Sequence, residues 1–383
     1  MSELLRPTRA VVDLDALARN HHAIAAHVAP AAVMPVVKAN AYGHGLAAVG
    51  CAFERMGAAC LGAAYVEEGI ELRRAGVTIP ILVMGGLAGA QVPLFLDHDL
   101  SITVPSVEKL VQVEEAAAAS GRRARVHLKV DTGMERLGVH WYHADRLLEA
   151  TLACRHVDVE AVYSHLANSD AADLTDARRQ LTRFEEALEW YERRSLATPT
   201  RHIANSGAVL QLPEANLDMV RPGILSYGIP PSREAPATIP VEPALSWRTA
   251  VVYFKVVEAG HPVSYGSTWQ SDHSVRIVTI PVGYGDGYSR LMSDRAVVLI
   301  RGQRYPVVGR ICMDQAMVNI EWGTAYNGDE VVLIGTDGDH TITATDLADW
   351  MGTIPYEVLT NISARVPRVY VGDGGTPPRE KGS

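Results

Sequence analysis

Short apolar runs recur through the first two thirds of the chain: AVMPVVKA (32–39), CLGAAYV (60–66), PILVMGG (80–86), LSITV (100–104), RVHLKVD (125–131), VEAVYSHL (159–166), RHIANS (201–206) and DMVRPGI (218–224). They are apolar on both faces rather than alternating, as strands of a parallel sheet covered by helices are. Helical stretches separate most of them. Ser106 is placed to cap a helix over 107–120 that Gly121 stops. Asp15 opens another, with Leu14, Leu17, Ile24 and Val28 on one stripe and Pro30 ending it. Eight such units in series favour a (β/α)8, TIM-like barrel over a doubly wound open sheet, because no phosphate-loop pattern accompanies the lysine at the end of the first run. RAVVDL (9–14) is one strand too many for the barrel and is placed outside it.

The pattern changes near residue 229. IPPSREAPATIPVEP carries Pro230, Pro231, Pro236, Pro240 and Pro243 and reads as a linker. Beyond it lie strand-like runs, TAVVYFKVV, VRIVTIPVG, AVVLIRG, RYPVVGRI, AMVNIEW and DEVVLIG, with turn signals at Arg301-Gly302 and Asn327-Gly328. One helix is expected over 344–351, capped by Thr343 and stopped by Gly352. The expectation is therefore an α/β barrel domain over 8–240, a mostly-β domain over 241–372 and a disordered tail over 373–383.

Composition narrows the class. A chain of 383 residues exceeds one ordinary core, which agrees with two domains. Its net charge of -9, with no basic stripe, speaks against nucleic acid as a partner. No apolar run is long enough to span a bilayer, and MSELLRPTRA lacks the apolar core of a signal peptide. Cys51, Cys60, Cys154 and Cys312 are irregularly spaced with no CxxC pair, and they read as reduced thiols of a cytoplasmic protein.

The chemistry gathers at strand ends. In a barrel the carboxyl ends of the strands converge on one mouth. Here they carry Lys38 in VVKANAYGHG, Met84, Lys129 with Asp131, His165, Asn205 with Ser206, and Arg221 with Gly223. A desolvated lysine amine is a nucleophile toward an aldehyde, and an imine is how proteins hold pyridoxal phosphate. Ser206 and Gly223 at strand-to-helix turns suit a phosphate. An aspartate beside the pyridine nitrogen would keep it protonated, whereas an arginine such as Arg221 cannot accept a proton and would leave it largely neutral, which favours reprotonation at Cα over transamination or decarboxylation. His140 and His143 form an HxxH without carboxylate or cysteine partners, so no metal is expected. GYGDG (283–287) lacks the spacing and the preceding βα unit of a dinucleotide fingerprint.

With those residues in view, the chain resembles the alanine racemase family of fold-type III pyridoxal-phosphate enzymes over about residues 8–370. The resemblance is carried in order by VVKANAYGHG, HLKVDTGMERLG (127–138), YSHLA (163–167), HIANS (202–206), MVRPGILSYG (219–228), VSYGSTW (263–269), PVGYGDGY (281–288), GRICMDQ (309–315) and YEVLTNISARVPR (356–368). It implies an N-terminal barrel holding the cofactor, a C-terminal β domain joined by the extra N-terminal strand, and a homodimer whose active sites are shared between subunits. It implies L- and D-alanine as substrates, the D-form feeding peptidoglycan. Lys38 would bind the cofactor and act as the base on one face, with Tyr265 on the other. His165 would assist Tyr265 and bridge to Arg221 at the pyridine nitrogen. Tyr42, Asn205, Ser206, Gly223, Ile224 and Tyr356 would surround the cofactor, mainly its phosphate. Arg136 and Met313 would bind the substrate carboxylate, Lys129 is the position carbamylated in many relatives, and Tyr284, Arg290 and Arg310 would line an access corridor.

Two departures stand out. Glu135 occupies a position where many relatives have glycine, beside Arg136, and Met84 replaces a usual leucine, a nearly volume-neutral change. A broader-specificity amino-acid racemase and a non-catalytic pyridoxal-phosphate-binding protein remain as alternatives.

Overall fold

The computed structural model describes residues 5–86 and 88–374. The chain forms two compact units: one comprises Leu14–Ala41 and Leu46–Glu242, the other the N-terminal segment up to Asp13, Tyr42–Gly45 and Pro243–Gly372. Strand β1 (Arg9–Asp13) belongs to the second unit, where it pairs with both Leu245–Ala250 and Arg368–Val371. Of the tail expected to be disordered, residues 375–383 lie outside the described residues.

In the first unit each of the eight apolar runs yields a strand: β2 (Ala32–Val33), β3 (Leu61–Ala63), β4 (Ile81–Val83), β5 (Ser101–Val104), β6 (Ala124–Asp131), β7 (Val157–Tyr163), β8 (Thr200–His202) and β9 (Met219–Val220). They are parallel, and from β3 to β8 they pair in sequence. The ring closes through β9 against β2, with Met219 opposite Ala32. Shorter contacts join the remaining seams: Val37 N–H donates to Gly62 O at 2.8 Å between β2 and β3, and Arg221 N–H to Ala204 O at 2.9 Å between β8 and β9.

Helices cover the ring as the capping signals indicate. Val107–Ser120 begins where Ser106 Oγ accepts from Lys109 N–H and ends at Gly121 in the left-handed region. Leu14–Val28 buries Leu14, Leu17, Ile24 and Val28. It packs beside the turn that follows β9, Asn20 Nδ2 donating to Ser226 O at 3.4 Å, so a helix preceding the first barrel strand covers the last. Met84 packs with Met34, Cys60 and Leu82.

The second unit is mostly β. Its larger sheet runs in the order Gln303–Pro306, Val297–Ile300, Glu330–Asp337, Leu245–Ala250, β1, Arg368–Val371, and a smaller one joins Tyr253–Val257, Val275–Ile280 and Ala316–Asn319. The run TAVVYFKVV, expected as one strand, is two. Val251 N–H donates to Asp329 O while Val252 N–H donates to Thr279 O, both at 2.9 Å, so the chain changes sheets between adjacent valines. RYPVVGRI also shortens, since Gly309 takes φ +68° just past a single bridge at Val307. The helix Ala344–Met351 has the expected Thr343 cap and Gly352 stop. Trp247 and Tyr288 meet edge to face in its core, with centroids 5.7 Å apart.

Candidate active site

Lys38 leaves the barrel wall at a point fixed on both sides, since Val36 N–H donates to Pro222 O and Val37 N–H to Gly62 O. The next four residues, Ala39, Asn40, Ala41 and Tyr42, all have positive φ, between 51° and 56°. Left-handed backbone costs non-glycine residues roughly 1–2 kcal/mol each, so the turn needs outside support. Glu68 supplies part of it: its carboxylate accepts from Ala39 N–H and from Ala64 N–H, each at 2.7 Å. Asn40 Oδ1 accepts from Leu46 N–H at 2.8 Å. Burial lowers the pKa of the Lys38 amine, helped by the guanidinium groups of Arg136 and Arg221 and opposed by Glu68. The amine is thereby biased toward its nucleophilic, uncharged form.

Arg221 is buried in the barrel. Its Nη1 donates to His202 Nδ1 at 2.8 Å, and its Nη2 donates to Ser164 O at 2.7 Å and to His165 Nδ1 at 3.2 Å. Its Nε–H makes no hydrogen bond among the described residues. Burial pulls its pKa down to about 10, which still leaves it charged at neutral pH.

Lys129 is almost fully buried, and its one hydrogen bond among the described residues is a long 3.5 Å contact to Val130 O. Its Nζ lies 4.7 Å from the centre of the Tyr163 ring. Burial, then Arg221, pushes its pKa well below the ordinary lysine range against the pull of Asp131. Asp131 in turn shapes the loop that carries Arg136. It accepts from Gly133 N–H at 2.8 Å, Met134 N–H at 3.0 Å and Arg136 N–H at 3.2 Å, while the exposed Arg136 guanidinium makes no hydrogen bond among the described residues. Glu135 does not compete for that guanidinium, because it pairs with His140 at 3.0 Å. Its φ of +53° lies in the left-handed region, which glycine would adopt at less cost than glutamate.

Asn205 caps the helix Ser206–Gln211 through Ala208 N–H. The buried Ser206 Oγ accepts from Gly223 N–H at 2.9 Å and from Leu225 N–H at 3.3 Å, leaving the Ile224 N–H between them without a partner among the described residues. One hydroxyl and a row of backbone N–H groups at two turns form a ready anion cradle.

The other named residues lie in the second unit. The rings of Tyr42 and Tyr356 are 6.0 Å apart. Tyr42 is followed by Gly43 at φ +81°, where a Cβ would sit 2.1 Å from Leu359 O, so only glycine fits. Tyr265 stands on a turn, not in a strand, between Ser264 at φ +68° and Gly266 at φ +73°, and it is 68% exposed. Ser264 Oγ donates to Arg310 O at 2.5 Å, and the Arg310 guanidinium lies against Gly266. Met313 is exposed, and its carbonyl accepts from Gly285 N–H while its own N–H has no partner among the described residues. Tyr284 and Arg290 line a cavity of about 470 Å³ with Gly287, Ser289, Asn361 and Ser363. Arg310 is not among its lining residues.

The sequence reading missed a buried polar set beneath Arg221. His202 Nε2 lies 3.0 Å from His127 Nδ1, and His127 Nε2 lies 3.5 Å from Glu160 Oε2. Tyr163 stacks on His202 and bonds Thr103 Oγ1 at 2.8 Å. A signal was present in RVHLKVD, where His127, Lys129 and Asp131 occupy alternate positions and so share one face of β6.

Comparison with known proteins agrees with this arrangement. The family profile "Alanine racemase, N-terminal domain" matches residues 12–231 and "Alanine racemase, C-terminal domain" matches residues 244–370. The chain is 42% identical over 369 residues to the alanine racemase of Carboxydothermus hydrogenoformans, covering 96% of this chain and 100% of the relative. It superposes on the alanine racemase of Streptomyces lavendulae with a TM-score of 0.91 at 38% identity, over 97% of this chain and 98% of that one. It also superposes on that of Bartonella henselae, which carries covalently bound pyridoxal phosphate, with a TM-score of 0.87 at 27% identity, over 95% and 99%. A desolvated lysine at a barrel strand end, an anchored arginine beside it, and two family profiles spanning the chain lead to one conclusion: this protein belongs to the alanine racemase family of pyridoxal-phosphate-dependent isomerases.

Proposed function

We propose that this chain interconverts L-alanine and D-alanine, with Lys38 and Tyr265 exchanging the α-proton on opposite faces of the substrate. The observation that carries the proposal is the Lys38 amine, desolvated at the barrel mouth and biased toward its uncharged form by burial and by Arg136 and Arg221. Pyridoxal phosphate, when bound, supplies an aldehyde for that amine and an electron-poor ring that acidifies the α-proton.

The residues present fit that group. Ser206 offers its hydroxyl and Ile224 a backbone N–H for its phosphate, the Gly223 N–H holding that hydroxyl in place, with Tyr42 and Tyr356 assigned as further phosphate ligands and Asn205 fixing the helix that presents Ser206. The unpartnered Nε–H of Arg221 is a donor that suits an unprotonated ring nitrogen. Arginine cannot accept a proton, so Arg221 would leave the nitrogen of a bound cofactor unprotonated, a state that would favour reprotonation at Cα. Arg136 and the Met313 N–H each have donors to spare for the substrate carboxylate. Burial and Arg221 bias Lys129 toward the uncharged form that can take up carbon dioxide, which would turn it into an anion able to orient Arg136. His165, with Nδ1 occupied by Arg221, keeps its proton on Nε2, a donor we assign to assisting the Tyr265 hydroxyl of a second copy of the chain.

One base cannot easily serve both faces of a fixed Cα, so two are needed. The exposure of Tyr265 supports its working against a second copy of the chain in a homodimer. Tyr284, Arg290 and Arg310 are assigned to the route by which substrate arrives. No helix among the described residues is long and apolar enough to cross a membrane. A cytoplasmic location and a supply of D-alanine to peptidoglycan complete the reading. Polarimetry of cofactor-loaded protein with single enantiomers of alanine, serine, lysine and arginine tests it. Alanine should turn over fastest, and no alanine turnover, or a faster reaction with another amino acid, would overturn it.

A further inference from the structure

The interior of a (β/α)8 barrel is ordinarily filled with branched aliphatic side chains. Here it holds Ser101, Thr103, His127, Glu160, Tyr163, His202 and Arg221, and the bonds among them have one consistent direction. Arginine only donates, so the Arg221–His202 bond requires Nδ1 of His202 to be bare. Burial, and after it Arg221, holds His202 well below the ordinary histidine pKa, so its ring is neutral and its single proton is on Nε2. That proton points at His127 Nδ1, 3.0 Å away. As the acceptor of that proton, His127 Nδ1 is bare, so its own proton is on Nε2, facing Glu160 Oε2 at 3.5 Å; burial favours the same neutral ring.

The chain of donors can end only on an acceptor, and Glu160 is one. Its carboxylate is fixed by Ser101 Oγ, which donates at 2.8 Å, and by Arg125 at 3.7 Å, itself paired with Asp99 at 2.9 Å. Tyr163 does not offer an alternative end, because Thr103 gives its proton to Val83 O and therefore receives that of Tyr163.

The backbone is arranged to place this carboxylate. Val126 and His127 are consecutive on β6, yet they pair with Val159 and Ala161 on β7. Glu160 is the extra residue of a β-bulge. Bulges in parallel strands are rare, and they re-aim a side chain.

We infer that Glu160 is a positioning residue for the racemisation proposed above. Acting through His127 and His202, it fixes the nitrogen that receives Arg221, and so fixes how the guanidinium is turned toward His165 and toward the substrate side of the barrel. The inference rests on that proposed activity for its catalytic consequence, but not for the direction of the hydrogen bonds.

Two measurements test it. In the unaltered apo-protein, histidine-selective 15N NMR should show His202 and His127 neutral with bare Nδ1 and protonated Nε2. A protonated Nδ1 on His202 at neutral pH overturns the inference without any variant. In the loaded enzyme, Glu160→Leu removes the acceptor and should lower kcat on the order of 10–100-fold, the size of effect expected from sub-ångström misplacement, with KM changed less than about twofold. The nitrogen shifts of His202 should move in the same variant. Glu160→Gln retains an acceptor oxygen without the charge and should restore most of kcat. Unchanged kcat and shifts in a folded Leu variant, or a Gln variant as impaired as Leu, would overturn the acceptor role. No alanine turnover in the wild type would instead overturn the proposed activity and leave the donor direction standing.

Discussion

Arg221 donates to His165 Nδ1 at 3.2 Å, and this bond decides what His165 can do. The occupied Nδ1 leaves the single proton of a neutral ring on Nε2. Burial first, then the positive charge of Arg221, hold the His165 pKa well below the ordinary histidine value. His165 is therefore expected to stay neutral from pH 8 down to pH 5. Histidine NMR shifts that stay constant over this range support the assignment, and a transition near 6.5 would contradict it.

Tyr265 is assigned to one face of the substrate and Lys38 to the other. Replacing Tyr265 with Phe removes one proton carrier and should lower racemisation by about 10²–10⁴-fold, the usual worth of a general acid or base. Exchange of the α-hydrogen with deuterated water should persist for one enantiomer and collapse for the other. Equal exchange of L- and D-alanine in the Tyr265→Phe enzyme would sink the two-base reading.

Acid should destabilise the barrel through His21. Its side chain is buried against Phe53, its Nδ1 has no hydrogen-bond partner among the described residues, and burial with the neighbouring His22 lowers its pKa to about 4. The folded-state value lies below the unfolded one, so the unfolded chain binds the extra proton. Stability is then full above pH 6.5 and falls as pH drops toward 4, by about 3 kcal/mol at most for this one group. His21→Leu should flatten that loss while leaving stability at pH 8 equal or higher. Denaturant midpoints between pH 8 and pH 5 check this, and parallel curves for the two proteins would refute it.

The β unit has its own vulnerable point at Asp286. This fully buried carboxylate receives Arg6 at 2.8 Å and Gly283 N–H at 3.1 Å, with Arg365 at 3.5 Å. Asp286→Ala leaves the buried Gly283 N–H without its acceptor and removes the partner of the part-exposed Arg6, a loss of about 1–3 kcal/mol. Chemical denaturation should show a loss of that order, and a variant within 1 kcal/mol of wild type would show the pair to be dispensable.

The parallel strands were legible because each is a compact β-branched or apolar run between helix caps. Ser106 with Gly121 and Thr343 with Gly352 could be assigned from local chemistry alone, since a cap needs only its own helix. The change of sheet between Val251 and Val252 was not legible, because both halves of TAVVYFKVV favour strand and only their tertiary partners differ. Nor was the left-handed turn at Ala39–Tyr42, which has no glycine and depends on Glu68, distant in sequence. At the site, Lys38, Arg221 and His165 could be read from their places at strand ends. Tyr265 could not, because its role depends on the family likeness and its strained turn carries no sequence mark beyond Gly266. The His127–Glu160 pair was hidden by a bulge, which shifts the strand's inward face by one residue and defeats simple alternation.

The central claim is that Lys38 holds the cofactor and moves the substrate proton. Borohydride reduction of the coloured, cofactor-loaded enzyme, followed by peptide mapping by mass spectrometry, tests it most directly. The account predicts one modified peptide bearing the reduced pyridoxyl group on Lys38, and its absence from an inactive Lys38→Ala protein. A pyridoxyl group on Lys129 or another lysine, or full racemase activity in Lys38→Ala, would contradict it.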